Sequence, residues 1–493
     1  MNFKDIQFGE SEAEFEKSFF PKLLLDGYLD SYGYTSQVLN GHKFLILGSK
    51  GSGKSAIGSR LELLAENANP KNLFVTQYIL DRDFPYKSFS ELLPGSEAPE
   101  NRYPNHWEFL LLIGLLDSFR KDVDLISSGI VKMDSLDLLE KLGLINRSLT
   151  EMVTTAKKSE FEFNIKVLRY KTESDQTEKP LNIDALFAII KDAVYAIKSQ
   201  NKHLIIIDGL DDMLSHRQKQ YRSIMALIIA ADRINKKLKD ADINAKIVIL
   251  CRTDLFDRLS DSNKNKIALH SSITLNWYQD INNKKSTNLV KLINLRAKLS
   301  LGKEIDVIDT FFPKTIDDNK PTLNVLLNFT RHTPRDFIEL MNRIKAHTIN
   351  GDKITQTDIT NGRHEYSNEY FQREIHDELH GFFENNDEIN SIFDLLREMK
   401  KSTFSYDEIS QKAQNDARFS KLNLPDVLKL LFNCSAIGNY RERSGGYSLR
   451  FRKGYRKPLK IFTYKYLNIH SQFTPGELIV VHKGFRKFLN IRS

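Results

Sequence analysis

The sequence predicts an α/β fold, a parallel-sheet core followed by a helical lid and a C-terminal winged-helix domain. Three observations carry that expectation. Apolar strand-like runs each end in a polar or glycine-rich turn, at "KFLILGSKGSGKSA" (43–56), "HLIIIDGLDD" (203–212) and "AKIVILCRTDLFDRL" (245–259). A long stretch of helical apolar periodicity follows them, over 282–350. The chain then closes with three short amphipathic segments and a glycine-centred hairpin signal.

The first 40 residues, rich in aromatic and acidic positions, are expected as an N-terminal helical extension that suggests no chemistry. The run Lys43–Leu47 is short and apolar, as a strand buried on both faces should be. Gly48 to Ser55 then fits G-x-x-x-x-G-K-[ST] at every defined position. In that pattern the glycines let the backbone turn tightly and aim its N–H groups inward, forming a nest for phosphate oxygens. The candidate nucleotide contacts are Gly48, Ser49, Lys50, Gly51, Ser52, Gly53, Lys54, Ser55 and Ala56. Lys54 would reach the β- and γ-phosphates, and the Ser55 hydroxyl would sit on Mg²⁺. "SAIGSRLELLAE" reads as the helix whose positive N-terminal end faces the phosphates.

"NLFVTQYIL" (72–80) supplies a second strand, ending in Asp81, Arg82 and Asp83. Residues from about 84 to 180 exceed a minimal nucleotide domain and read as an insertion, with "WEFLLLIGLLDSFRKDV" as a buried helix and "YKTESDQTEK" as an exposed loop. The strand at 203–208 ends in Asp208, where a phosphate-loop protein holds Mg²⁺ directly or through water. The next residue is Gly209, so a paired Asp-Glu is absent. Asp211 and Asp212 are the nearest carboxylates to orient the attacking water. The strand at 245–252 ends in Arg252, Thr253 and Asp254, which would line the same crevice at the carboxyl ends of the strands. Arg252 or Thr253 would sense the γ-phosphate, or else cap the following helix.

Residues 282–365 read as a helical lid, with a helix opened by Thr333-Pro334. Arg335 lies in that helix's first turn, where the dipole disfavours a cation, which makes it a candidate to report on the γ-phosphate. The plain alternative is a surface ion pair with Asp336 or Glu339. Residues 366–493 read as a basic, winged-helix-like domain. Its helices fall near 391–402, 405–414 and 423–437, with Ser405 and Asn423 as N-caps. Two strands are expected around a Gly445-Gly446 turn.

Charge is unevenly spread. From Arg441 to Ser493 the chain has thirteen Lys/Arg against Glu442 and Glu477, a net +11, so the preceding 440 residues sum to −3 within a total of +8. Such a patch is the electrostatic footprint of phosphate backbones. Arg441, Arg443, Arg450, Arg452, Lys453, Arg456 and Lys457 are the candidate nucleic-acid contacts. The third helix is mostly apolar, with Lys429 its one clear cation, so DNA would be gripped by its backbone and not read by sequence. The alternative is a basic tail docked on its own chain. Two distant cysteines in apolar runs, Cys251 and Cys434, suit a reducing compartment. With no signal peptide and no apolar run long enough to span a bilayer, a soluble, cytoplasmic protein is expected.

The order of "GSKGSGKS", "LIIIDGLDD", "ILCRTDLF", "TPRDF" and a winged helix resembles the STAND and AAA+ class of P-loop NTPases, with a layout like that of initiator ATPases. More narrowly, "FGESEAEFE", "GSKGSGKSA" and "RTDLFDRL" followed by "NKNKIALHSSITLNWY" resemble a bacterial family of P-loop ATPases with a C-terminal winged helix. The resemblance implies a P-loop NTPase core over 41–281, and ATP as the nucleotide by default. It also implies a switch in which ATP sets the lid and wing and hydrolysis releases them. Assembly as a homo-oligomer follows from the same likeness, with Arg258 a candidate to complete a neighbour's site. The missing Glu after Asp208 favours slow turnover. The alternative function is a regulatory ATPase scaffold whose winged helix contacts protein, in a setting such as phage defence.

Overall fold

The computed structural model describes the whole chain except residues 81–82, 128–132, 159–160, 162–164, 166–168, 173–174, 211–216, 279–285, 350, 381, 384, 444–458, 468–470 and 492–493. The chain forms two compact units. One consists of Lys17–Leu25 and Asp30–Leu275, and the other of Met1–Glu16, Asp26–Leu29 and Asn276–Ser493. The first 40 residues are therefore shared between the units and do not stand as a separate extension.

The first unit is built on five strands, β1 (Leu45–Gly48), β2 (Leu73–Ile79), β3 (Lys202–Asp208), β4 (Ala245–Arg252) and β5 (Ser272–Leu275). Their order is β2-β3-β4-β1-β5, and every pairing is parallel. Strands β1 and β3 are apolar almost throughout and buried along their length, as helices on both faces of a parallel sheet require. The sequence supplied four of these strands. The fifth, in "SSITL", is an edge strand of four residues with alternating burial, too short to stand out from the helix before it.

Four helices matter for the core, α1 (Lys54–Glu66), α2 (Pro99–Arg120), α3 (Ile183–Tyr195) and α4 (Arg217–Asp240). Helix α2 packs against α3, α4 and strands β2 and β3. Its residues Trp107 and Phe109 to Ile113 are fully buried. A helix that is apolar on every side belongs inside a core. The segment expected as an insertion thus contributes a central helix of this unit. Trp107 is anchored there by donating its Nε1–H to the Ser223 backbone oxygen (3.0 Å) and hydroxyl (3.1 Å).

The second unit opens with helices α5 (Asn288–Leu301), α6 (Pro334–His347) and α7 (Gln356–Glu365). A π-helical turn, Tyr366–Phe371, then leads into α8 (Gln372–His380). Thr333 caps α6 as the sequence indicates, accepting from the Asp336 N–H at 3.2 Å. Buried Arg331 ties these elements together. Its Nε and Nη2 each donate to Asp336 at 2.9 Å, and its Nη1 donates to Glu378 at 2.6 Å. Tyr370 adds its hydroxyl to Asp336 at 3.0 Å. A buried cation is tolerated only when it is paired and hydrogen-bonded in this way.

Beyond α8 come α9 (Asn386–Glu398), β6 (Thr403–Phe404), α10 (Tyr406–Gln414), α11 (Leu424–Asn433), β7 (Ile437–Arg443), β8 (Leu459–Thr463) and β9 (Leu478–Val481). The strands form an antiparallel sheet in the order β6-β9-β7-β8. Three helices are followed by a strand pair in which Arg443 pairs with Leu459. The expected Gly445-Gly446 turn lies outside the described residues. Asn423 stands at the N-cap of α11 without capping it. Its Nδ2 donates to Asp426 instead, at 2.8 Å. The architecture is an α/β P-loop core with a C-terminal helical domain.

Candidate nucleotide site

All five strands run the same way, so their carboxyl ends share one edge of the sheet. Register fixes who meets there. Gly48 on β1 lies level with Arg252 on β4, and Ile79 on β2 with Asp208 on β3. Strand β4 lies between the loop-bearing strand β1 and the acid-bearing strand β3. With strands about 4.8 Å apart, Asp208 stands about 10 Å across the sheet from β1, a span that a phosphate chain and a metal ion can fill.

The loop between β1 and α1 is tight. Ser52 donates its N–H to the Ser49 carbonyl at 3.2 Å, and Gly51 and Gly53 adopt positive φ of 77° and 91°. Side chains there would be strained, while glycine is not. Helix α1 begins directly at Lys54, with Gly53 at its N-cap. Lys54 folds back onto its own loop, donating to the carbonyls of Gly48 (3.2 Å) and Ser49 (3.1 Å). Ser55, one residue on, is half-buried in the first turn of α1.

Asp208 is 8% exposed and accepts the Gly209 N–H at 2.8 Å. Gly209 has a φ of 79°, and a Cβ at this position would lie 2.3 Å from the Leu80 carbonyl oxygen. A glutamate cannot occupy that place without moving β2, which explains the absent Asp-Glu pair. Asp211 and Asp212 lie outside the described residues, as do Asp81 and Arg82.

Arg252 closes the edge beside the loop. Its Nε and Nη2 donate to the two carboxylate oxygens of Asp254, at 3.0 and 2.8 Å. Burial would raise the Asp254 carboxyl, but Arg252, with help from Arg258 and Lys54, holds it down to about 2. The expected sensor arginine is thus engaged by a carboxylate two residues away. Thr253, between them, has a buried hydroxyl with no hydrogen-bond partner among the described residues. The pairing of Arg252 with Asp254 was not read from the sequence. Its signal was the R-x-D spacing across a strand-to-helix boundary.

The hydroxyl of Ser55 and the carboxylate of Asp208 are hard oxygen donors of the kind Mg²⁺ takes, and the glycine turn is shaped for phosphate. The residues present therefore fit a magnesium nucleotide.

Arg335 belongs to the other unit. There its Nε donates to the Ser11 carbonyl at 2.8 Å and its guanidinium lies 3.7 Å from Glu374. Neither Asp336 nor Glu339 is its partner, because Asp336 is taken up by Arg331 and Glu339 by Arg343 at 2.7 Å. Of the expected nucleic-acid contacts, Arg441 is exposed and lies 3.5 Å from Glu477. The backbone of Arg443 ends β7, while Arg450, Arg452, Lys453, Arg456 and Lys457 lie outside the described residues. Helix α11 buries Leu424, Val427, Leu428, Leu431 and Phe432, leaving Lys429 exposed beside Asp426. Among the described residues no helix is long and apolar enough to cross a membrane.

A family model for a FunZ-associated C-terminal helical domain matches residues 287–373. No curated protein matches the chain. Among solved structures, the ORC1 protein of Aeropyrum pernix, determined in complex with DNA, is similar at a TM-score of 0.38 and 12% identity, over 90% of this chain and 91% of that chain.

Proposed function

We propose that this chain is an ATP-binding, slowly hydrolysing switch whose nucleotide state governs engagement of DNA through its basic C-terminal segment. The observation that supports it best is the shared edge of the sheet. A glycine-turned phosphate loop on β1 and a buried carboxylate on β3 stand there, with β4 between them.

In this reading the N–H groups from Gly48 to Ala56 hold the phosphates. Lys54 exchanges the Gly48 and Ser49 carbonyls for β- and γ-phosphate oxygens, a stronger, charge-assisted contact. Ser55 and Asp208 hold Mg²⁺, which when bound neutralises charge developing on the transferred phosphoryl group. Asp208 cannot be followed by a carboxylate, so orientation of the water falls to Asp211, Asp212 or a partner. Slow, partner-stimulated turnover follows from that.

The second reading, a regulatory ATPase whose C-terminal domain contacts protein and whose nucleotide controls assembly of copies, has its own support. Helix α11 exposes one lysine beside an acid, and Arg441 faces Glu477.

The test is nucleotide hydrolysis by the full chain, with and without duplex DNA, beside Lys54→Ala and Asp208→Ala. Hydrolysis raised by DNA and lost in both variants is the expected result. Nucleotide binding indifferent to DNA, with nucleotide-dependent oligomerisation, would favour the second reading.

A further inference from the structure

Two features that look chemical are already spoken for. A cleft of about 1010 Å³ at the amino edge of the sheet is lined by five lysines. Lys202 donates to the Leu39 carbonyl at 2.7 Å and Lys246 to that of Gly41 at 2.7 Å, while Lys198 and Lys236 are held by Ala241 and Asp232. Lys202, Lys246 and Lys198 answer the carboxyl ends of helices, where cations belong, and Lys236 pairs with Asp232 one turn back on its own helix. The buried Arg331 network is likewise saturated by its own carboxylates.

Asp254 is different. Its carboxylate stands at the nucleotide edge, grips Arg252 through both oxygens, and feels Arg258 and Lys54 as well. An internal anion is thus paired bidentately with a cation at the edge where the proposed nucleotide's anionic end belongs. We propose that Asp254 is a specificity-determining residue that stands in for the terminal phosphate, holding Arg252 back and biasing the site against nucleoside triphosphate relative to diphosphate. This rests on the nucleotide reading above.

Two effects act in the same direction. A γ-phosphate brought to this edge meets the like charge of Asp254, and it must also compete for an arginine already bound bidentately. A diphosphate, ending one phosphate short, meets less of both. The plain alternative is that Asp254 only fastens the first turn of the helix Thr253–Arg258. That role would weaken both nucleotides alike.

The experiment measures Kd for a non-hydrolysable ATP analogue and for ADP, each with Mg²⁺, on the full chain and on Asp254→Asn. The ratio of the two constants is taken within one protein, so it does not depend on the folded fraction. Asp254→Asn is expected to raise preference for the triphosphate by about tenfold. Adding Arg252→Ala is expected to remove most of that gain. An unchanged or lowered preference in Asp254→Asn, with the wild type binding both nucleotides, overturns this proposal alone. A wild type that binds neither, identical to Lys54→Ala, overturns the nucleotide reading and this proposal with it.

Discussion

Gly209 shows how a single backbone position limits chemistry. At a φ of 79° and with the Leu80 carbonyl where a Cβ would go, any side chain here is strained and clashes. Gly209→Ala is expected to cost about 2 kcal/mol or more, read as a lowered urea midpoint. Gly209→Glu, which writes the missing acid after Asp208, is expected to unfold the site without accelerating hydrolysis. A faster, stable Gly209→Glu would refute this account. The absence of the acid was legible in the sequence, but its reason was not, because Leu80 follows a different strand, β2. Asp336 makes the complementary case. Burial would raise its carboxyl, but Arg331 and the hydrogen bonds around it hold it down to about 2. Its contribution is therefore fully present above the ordinary value of 3.8 and is lost as the pH falls through that range toward 2. Asp336→Asn weakens two charge-assisted hydrogen bonds to Arg331 while Glu378 still pairs with it, and is expected to cost about 1–3 kcal/mol at neutral pH, read as a lowered urea midpoint.

Elements were readable where their ends are written locally. Ser405 caps α10 in a reciprocal box with Glu408, each side chain accepting the other's N–H, at 3.2 and 2.8 Å. Ser405→Ala is expected to cost about 1 kcal/mol, seen as a shift in thermal unfolding, and a neutral result would show that tertiary packing alone fixes this end. Asn423 carries the same type of signal, yet its amide turned to Asp426. A cap residue states a possibility, and the neighbouring acid competed for it. The strand pair shows a further limit. Tyr440 pairs with Phe462 and Arg443 with Leu459, in a sheet where β7 lies beside the apolar β9, and that register depends on which faces find a core. Helix α2 was legible as buried from its composition. Its place on β2 and β3 was not.

At the scale of the molecule, charge and burial make separate predictions. If the basic segment grips DNA, reversing Arg450, Arg452 and Lys453 together should weaken binding uniformly across sequences and flatten its dependence on salt. Binding that depends on sequence and ignores salt would argue against it. Acid should destabilise the fold through buried histidines. Burial pushes His203 down to about 4 despite Asp122 at 3.2 Å, and His106 likewise to about 4. The unfolded chain takes up protons below 6.5, while these two resist until near 4, so stability should fall as the pH drops through that window. Urea midpoints at pH 7.5 and 5 measure it, and His203→Gln should show the shallower fall.

The sequence by itself determined the phosphate loop, the acid-tipped strand, the starts of α1, α6 and α10, and the basic C-terminal segment. Each of these is encoded in residues that are near neighbours in the chain, by glycine conformation, hydrophobic period or charge. Tertiary structure alone decided that α2 packs on β2 and β3, that Leu80 leaves no room for an acid after Asp208, that Arg443 pairs with Leu459, and that Asp254 holds Arg252. Burial, clash and strand register arise between segments far apart in the chain, and no local pattern records them.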